Sequence, residues 1–113
     1  MRLDLGGRAR SSEIPPRPLT HVVLMKFHDP TPEVLGKATS LLRGLAGKVP
    51  DLRGLEVGTD VLHSPRSYDL ALITRFDSLA GMQRYQEHPE HLKVLDYLRT
   101  VLASAVAVDF NKD

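Results

Sequence analysis

The sequence predicts an α+β domain of the ferredoxin-like type, in the order β-α-β-β-α-β around one antiparallel four-stranded sheet. Four runs of alternating or continuous apolar residues indicate strands. Two further segments, each opening on a capping residue and then following a helical spacing of apolar residues, indicate helical units. Right-handed crossovers place both helical units on one face of the sheet, with the first and third strands in its centre.

The first half of the predicted domain supplies two strands and one helix. Residues 21–27 form the first strand, which is apolar on both faces and is therefore expected to be buried on both sides. Thr31 and Pro32 supply the N-cap and the first position of a helix that ends near Gly47. The second strand is expected over residues 52–62.

The second half supplies the remaining strands and a divided helix. Residues 68–76 form a third strand, which is again apolar on both faces. Ser78 caps a short helix, and a longer helix begins at about Pro89, because proline is tolerated in the first turn, where its missing N–H has no helical partner. The last strand is expected over residues 105–110.

The break before Pro89 gives His91 a defined position. His88 is expected to be the N-cap of the longer helix, and an apolar stripe with helical spacing starts one turn later. This stripe comprises His91, Leu95, Leu98 and Leu102. The positive end of the helix dipole disfavours a charged imidazole there, so His91 is a candidate proton acceptor that faces inward. The alternative is structural, with His88 and His91 capping and packing the helix and Tyr85 serving as a core aromatic.

Length and composition exclude several classes of function. Residues 20–113 suffice for one domain, whereas residues 1–19 contain three prolines and no periodicity and are expected to form a flexible extension. The formal net charge of +1, from 15 Lys and Arg against 14 Asp and Glu, gives no reason to expect a nucleic-acid partner. There is no cysteine and no apolar run long enough to span a membrane. We therefore expect a cytoplasmic protein without membrane or nucleic-acid partners.

The two central strands indicate a homodimer. The helices can cover only one face of the sheet, and an uncovered apolar sheet face exceeds what a soluble monomer usually exposes. We therefore expect two copies to close their sheets face to face into a dimeric α+β barrel. The interior between the sheets is predicted to be lined by His21, Val23, Met25, Leu70, Leu72 and Thr74.

Other kinds of site have weaker support in the sequence. A zinc site needs three or four convergent ligands, and the start of a helix points His88, Glu90 and His91 in different directions. Ser64 and Ser67 lack the glycine pattern of a hydrolase nucleophile. No glycine-rich phosphate loop follows a strand. The sequence therefore predicts no metal and no cofactor.

Several segments, which follow one another along the chain, together resemble the stress-responsive A/B barrel family (Dabb). They are residues 21–27, 55–58, 68–72, Tyr85 with residues 88–91, and residues 108–110. The resemblance runs from about Thr20 to Phe110 and implies a dimeric α+β barrel. One branch of the family contains polyketide cyclases similar to olivetolic acid cyclase, which close a ring by an aldol reaction.

By resemblance to that branch, Tyr85 would bind or polarise a carbonyl and His91 would be the base. That branch has a further histidine on the third strand, where this sequence has Leu70. The residues expected to contact a substrate are His21, Val23, Met25, Leu70, Leu72 and His88. The expected ligand is a small, largely apolar carbonyl compound. The alternatives are a non-catalytic stress-associated or ligand-binding protein and, by fold analogy, a cofactor-free oxygenase.

Overall fold

A computed structural model describes residues 16–111 of the chain. The strands are β1 (Leu19–Phe27), β2 (Gly54–Thr59), β3 (Leu70–Phe76) and β4 (Leu102–Asn111), and the helices are α1 (Pro32–Arg43), α2 (Leu79–Glu87) and α3 (Pro89–Val101). The predicted order β-α-β-β-α-β is confirmed, with the second helical unit divided into α2 and α3. Most of the predicted extension, residues 1–15, lies outside the described residues.

The four strands form one antiparallel sheet in the order β2-β3-β1-β4. β1 and β3 are central, as predicted, and Val23 lies opposite Leu72 in their register. β4 pairs with β1 along its whole length and forms one edge of the sheet. The strand that carries the first histidine of the domain, His21, therefore contacts a neighbour on both sides.

The helices begin at the expected capping residues. The Thr31 side chain accepts a hydrogen bond from the Val34 amide at 3.2 Å, and Pro32 occupies the first position of α1. α1 ends at Arg43, earlier than expected, and the chain continues in turns through Gly47, whose φ of 84° favours glycine. Ser78 caps α2 in the same way, by accepting a hydrogen bond from the Gly81 amide.

All three helices cover one face of the sheet. The core between the two layers contains the buried side chains Met25, Phe27, Leu42, Leu70, Leu72, Phe76, Val94 and Leu98. His21 and Thr74 are also buried on this face. The core therefore occupies the side of β1 and β3 that carries the odd-numbered residues of β1 and the even-numbered residues of β3.

This arrangement corrects the predicted lining of the dimer. We expected His21, Val23, Met25, Leu70, Leu72 and Thr74 to face a second sheet, and that prediction is wrong, because these residues face the helices of their own chain. β1 and β3 are apolar on both faces, so their alternation alone does not identify the face that the helices cover.

The opposite face of the sheet, which we call the open face, is not covered by any helix within residues 16–111. Its apolar residues are Val22, Leu24, Ala71, Ile73, Val106, Val108 and Phe110. Val22 lies opposite both Ile73 and Val108, so these side chains form a continuous apolar band across three strands. Val108 is 63% exposed. Within residues 16–111, no helix has the length and apolar character needed to cross a membrane.

Candidate functional site

A break between two helices brings the rings of Tyr85 and His91 close together. α2 ends at Glu87 and α3 begins at Pro89, so His88 caps both helices. Its amide donates to the Tyr85 carbonyl at 3.1 Å, and its Nδ1 accepts a hydrogen bond from the Glu90 amide at 3.1 Å. The predicted N-cap is therefore confirmed. The break brings Tyr85, in the last turn of α2, to a ring-centroid distance of 4.4 Å from His91, in the first turn of α3.

These two rings border a cavity of about 290 Å³ between the sheet and the helices. The sheet contributes His21, Val23, Met25, Leu72 and Ala105, and the helical side contributes Leu42, Tyr85, Gln86, His91, Leu95, Leu98 and the adjoining Leu102. All four residues of the predicted α3 stripe thus contact one space. A largely apolar wall with a few polar groups at one end is typical of small-molecule sites.

The Tyr85 hydroxyl is a buried polar group at the edge of this cavity. Tyr85 is 1% exposed, and its ring packs against Phe76 at a centroid distance of 5.0 Å. Its oxygen has no hydrogen bond within the described residues. Burial raises the pKa of Tyr85 to about 12, so the phenol keeps its proton near neutral pH. Because an unpaired buried hydroxyl is unfavourable, it is a ready donor for a ligand oxygen.

His91 is held as a neutral ring with a free nitrogen. Its Nδ1 lies 3.1 Å from the Gln86 carbonyl oxygen, which can only accept, so Nδ1 carries the proton and Nε2 is left as an acceptor. Burial lowers the pKa of His91, and the nearby His21 adds to this, whereas the Gln86 carbonyl opposes it. The direction agrees with the expected neutral imidazole, although burial, and not the helix dipole, is its main cause.

His21 approaches the cavity from the sheet and has its own partner. It lies opposite Asp109 in the register between β1 and β4, and its Nδ1 donates to the Asp109 carboxylate. Asp109 was not among the predicted site residues. The signal was present in the predicted topology, since the last strand of a ferredoxin-like sheet lies beside the first strand.

The structure brings together six of the eight predicted site residues. His21, Val23, Met25, Leu72, Tyr85 and His91 all border the cavity. Leu70 is buried in the core but does not border this cavity, and the His88 Nδ1 is occupied by its cap. The sequence did not identify Gln86, whose carbonyl fixes the His91 ring, because a backbone contact has no residue signature. Among residues 16–111, no three His, Asp or Glu side chains converge to form a possible metal site.

A family model describes the same part of the chain. The stress-responsive A/B barrel domain (Dabb) matches residues 19–112, from the start of β1 to just beyond β4. The chain belongs to this family. The match confirms the resemblance that the sequence segments indicated. No protein of curated function matches this Dabb chain.

Several proteins of known structure share the fold of this Dabb chain. A dimeric ferredoxin-like protein of unknown function from Thermobifida fusca is 28% identical, with a TM-score of 0.78 over 86% of this chain and 92% of that one. A hydroxynitrile lyase from Passiflora edulis is 15% identical, with a TM-score of 0.75 over 88% and 96%. SnoaB, a cofactor-independent oxygenase from Streptomyces nogalater, is 12% identical, with a TM-score of 0.69 over 86% and 94%. The last two likenesses establish the fold alone.

The lowered pKa of His91 predicts a specific pH dependence of stability. The unfolded chain binds a proton at this residue near pH 6.5, whereas the folded chain binds it only at lower pH. The free energy of unfolding should therefore fall as the pH drops from 6.5 towards the pKa of His91 in the folded chain. At pH values well above 6.5, His91 should not make the free energy of unfolding depend on pH.

Urea unfolding at pH 7 and pH 5 measures this effect. We expect His91→Gln to lose less stability between the two pH values than the wild type. His63→Gln is the matched control, because His63 lies in an exposed loop away from the cavity. Equal losses in the wild type and His91→Gln would contradict the assigned protonation state.

Proposed function

We propose that this Dabb protein binds a small, largely apolar carbonyl compound in the cavity and performs acid/base chemistry on it through Tyr85 and His91. The observation that supports this most directly is the buried, unpartnered Tyr85 hydroxyl beside the neutral ring of His91. A phenol that keeps its proton can donate to a carbonyl oxygen. A neutral imidazole can take a proton from the neighbouring carbon.

The proposed step is proton abstraction α to the carbonyl. The C–H bond breaks, its proton moves to Nε2 of His91, and its electron pair forms the carbon–carbon double bond of an enolate. The carbonyl π electrons move to the oxygen, where the Tyr85 hydroxyl donates a hydrogen bond to the developing charge. The enolate carbon can then attack a second carbonyl carbon in the same molecule: the π electrons of that carbonyl move to its oxygen, which takes the proton from Nε2 of His91, and the first carbonyl re-forms. This is the aldol closure of cyclases similar to olivetolic acid cyclase.

Two alternatives use the same cavity without this step. A non-catalytic ligand-binding or stress-associated protein would bind a carbonyl compound and release it unchanged. A cofactor-free oxygenase would instead consume oxygen, and this alternative is an analogy with SnoaB at the level of the fold alone. The proposal includes a cytoplasmic location.

Acetophenone, with ethylbenzene as the matched hydrocarbon, tests the binding step. We expect the wild type to bind acetophenone about fivefold more tightly than ethylbenzene, because one hydrogen bond contributes about 1 kcal/mol. Tyr85→Phe should remove this preference, as measured by calorimetric titration. Tyr97→Phe is the control, because the Tyr97 hydroxyl donates to the Val34 carbonyl at 3.4 Å, outside the cavity. Equal affinity of the wild type for both probes would exclude carbonyl recognition by Tyr85.

The same probe tests the chemistry. Exchange of the acetophenone methyl protons for deuterium, followed by NMR in heavy water, reports proton abstraction without knowledge of the natural substrate. We expect the wild type to accelerate exchange and His91→Gln to slow it at least ~100-fold, the usual range for loss of a general base. Binding without accelerated exchange would support the non-catalytic alternative. Oxygen consumption with a phenolic probe would support the oxygenase.

We also propose that two copies assemble through the open face. The apolar band there spans β1, β3 and β4, and the similar protein from Thermobifida fusca is dimeric. A contiguous exposed apolar band of this kind is typical of a surface that contacts another protein. The helix layer faces away from this contact, so each copy would keep its own cavity.

A charged residue in the open face tests this assembly. Val108→Asp places a carboxylate within the apolar band, and we expect it to shift the chain from twice the monomer mass to the monomer mass in sedimentation equilibrium. Leu79→Asp is the matched control, because Leu79 is an exposed apolar residue on the helix layer. A wild type that stays monomeric at working concentrations would refute the dimer.

A further inference from the structure

The contact between His21 and Asp109 determines which nitrogen of His21 faces the ligand. An ionised carboxylate can only accept hydrogen bonds, so the Nδ1 of His21 carries the proton in this contact. In the neutral ring, the other nitrogen, Nε2, is then an acceptor. His21 is 8% exposed and borders the cavity, whereas Asp109 lies on the edge strand and does not border it. The carboxylate therefore holds the ring from outside the cavity.

His91 reaches the same state by a different contact. Its Nδ1 is bound to the Gln86 carbonyl, so its Nε2 is also an acceptor. Within residues 16–111, neither Nε2 has a hydrogen-bond partner. The two rings approach the cavity from opposite layers, one from β1 and one from α3. The Tyr85 hydroxyl, which keeps its proton, completes the set as a donor.

We propose that Asp109 is a positioning residue that holds His21 as a second acceptor, so that the cavity selects carbonyl compounds that also bear a hydroxyl or N–H donor. This inference rests on the proposed function, because the carbonyl is the group that Tyr85 binds. The ligand carbonyl then meets Tyr85, its α C–H bond meets the Nε2 of His91, and a donor on the ligand meets the Nε2 of His21. A ligand without the donor leaves the Nε2 of His21 unpaired, which is the mechanism by which sites built for hydroxyl groups reject analogues that lack them.

The tautomer of His21 is the most direct readout. Long-range ¹H–¹⁵N correlation spectra of the uniformly labelled full chain at about pH 8 distinguish a protonated ring nitrogen from an unprotonated one. We expect His21 to be protonated at Nδ1 in the wild type and to lose that preference in Asp109→Ala. His91 should be unchanged in this variant, because a backbone carbonyl fixes its ring.

Asp60→Ala is the matched control variant. Asp60 also lies near a histidine, with its Oδ2 3.6 Å from Nδ1 of His63, but that pair is in an exposed loop. Asp109→Ala itself is expected to fold, since the neighbouring Ala105 and Ala107 show that the same side of β4 accommodates alanine. Asp60→Ala should leave the His21 spectrum unchanged.

Binding of three probes tests the ligand class. We expect affinity to rise about fivefold from acetophenone to 3-hydroxyacetophenone, because one hydroxyl reaches the Nε2 of His21. Asp109→Ala should lose this gain. The corresponding methoxy ketone, 3-methoxyacetophenone, has no donor and should not bind more tightly than acetophenone.

The outcomes separate the two proposals. If the wild type carries the His21 proton on Nε2, or if Asp109→Ala leaves the tautomer unchanged, the role of Asp109 is overturned whatever the ligands do. If the tautomer changes as expected but the hydroxyl of 3-hydroxyacetophenone gives no gain in affinity, the ligand class is overturned. If acetophenone and ethylbenzene bind equally, the proposed function fails, while the spectra still decide the role of Asp109.

Discussion

The structure depends on one constraint: a single layer of helices has to cover a sheet whose central strands are apolar on both faces. Because the helices take the face with His21, Met25 and Leu72, that face becomes the core of one chain and the wall of its cavity. The other face keeps the apolar band that includes Val22 and Val108. The position of the cavity and the position of the proposed contact between copies therefore both follow from which face of the sheet the helices cover.

The His-Pro break turns this layered core into a site. Without it, Tyr85 and His91 would lie on one continuous helix, six residues apart and on different parts of its surface. Because His88 ends one helix and starts the next, both rings point at the sheet and lie 4.4 Å apart. Burial favours the neutral form of both groups, because it raises the pKa of the Tyr85 phenol and lowers the pKa of the His91 imidazole. A donor and an acceptor thus stand together in an apolar space.

Much of this could be predicted from the sequence, and the remainder could not for identifiable reasons. The order of elements, the N-caps at Thr31 and His88 and the inward stripe headed by His91 follow from local rules of capping and periodicity, and all are observed. The face of β1 that the helices cover was predicted wrongly, because both parities are apolar. The partner of His21, Asp109, lies 88 residues away in the chain, and only the strand register brings them together.

Isotope-filtered NOE spectra of a dimer with one labelled copy test most directly which face of the sheet the helices cover. We expect the Tyr85 and His91 rings to show contacts with the Val23 and Leu72 methyl groups within one copy. We expect the methyl groups of Val22, Leu24 and Val108 to show contacts between copies. The reverse pattern, with Val23 and Leu72 in contact with the second copy, would contradict the account, because the cavity would then lie between the sheets and not beneath the helices.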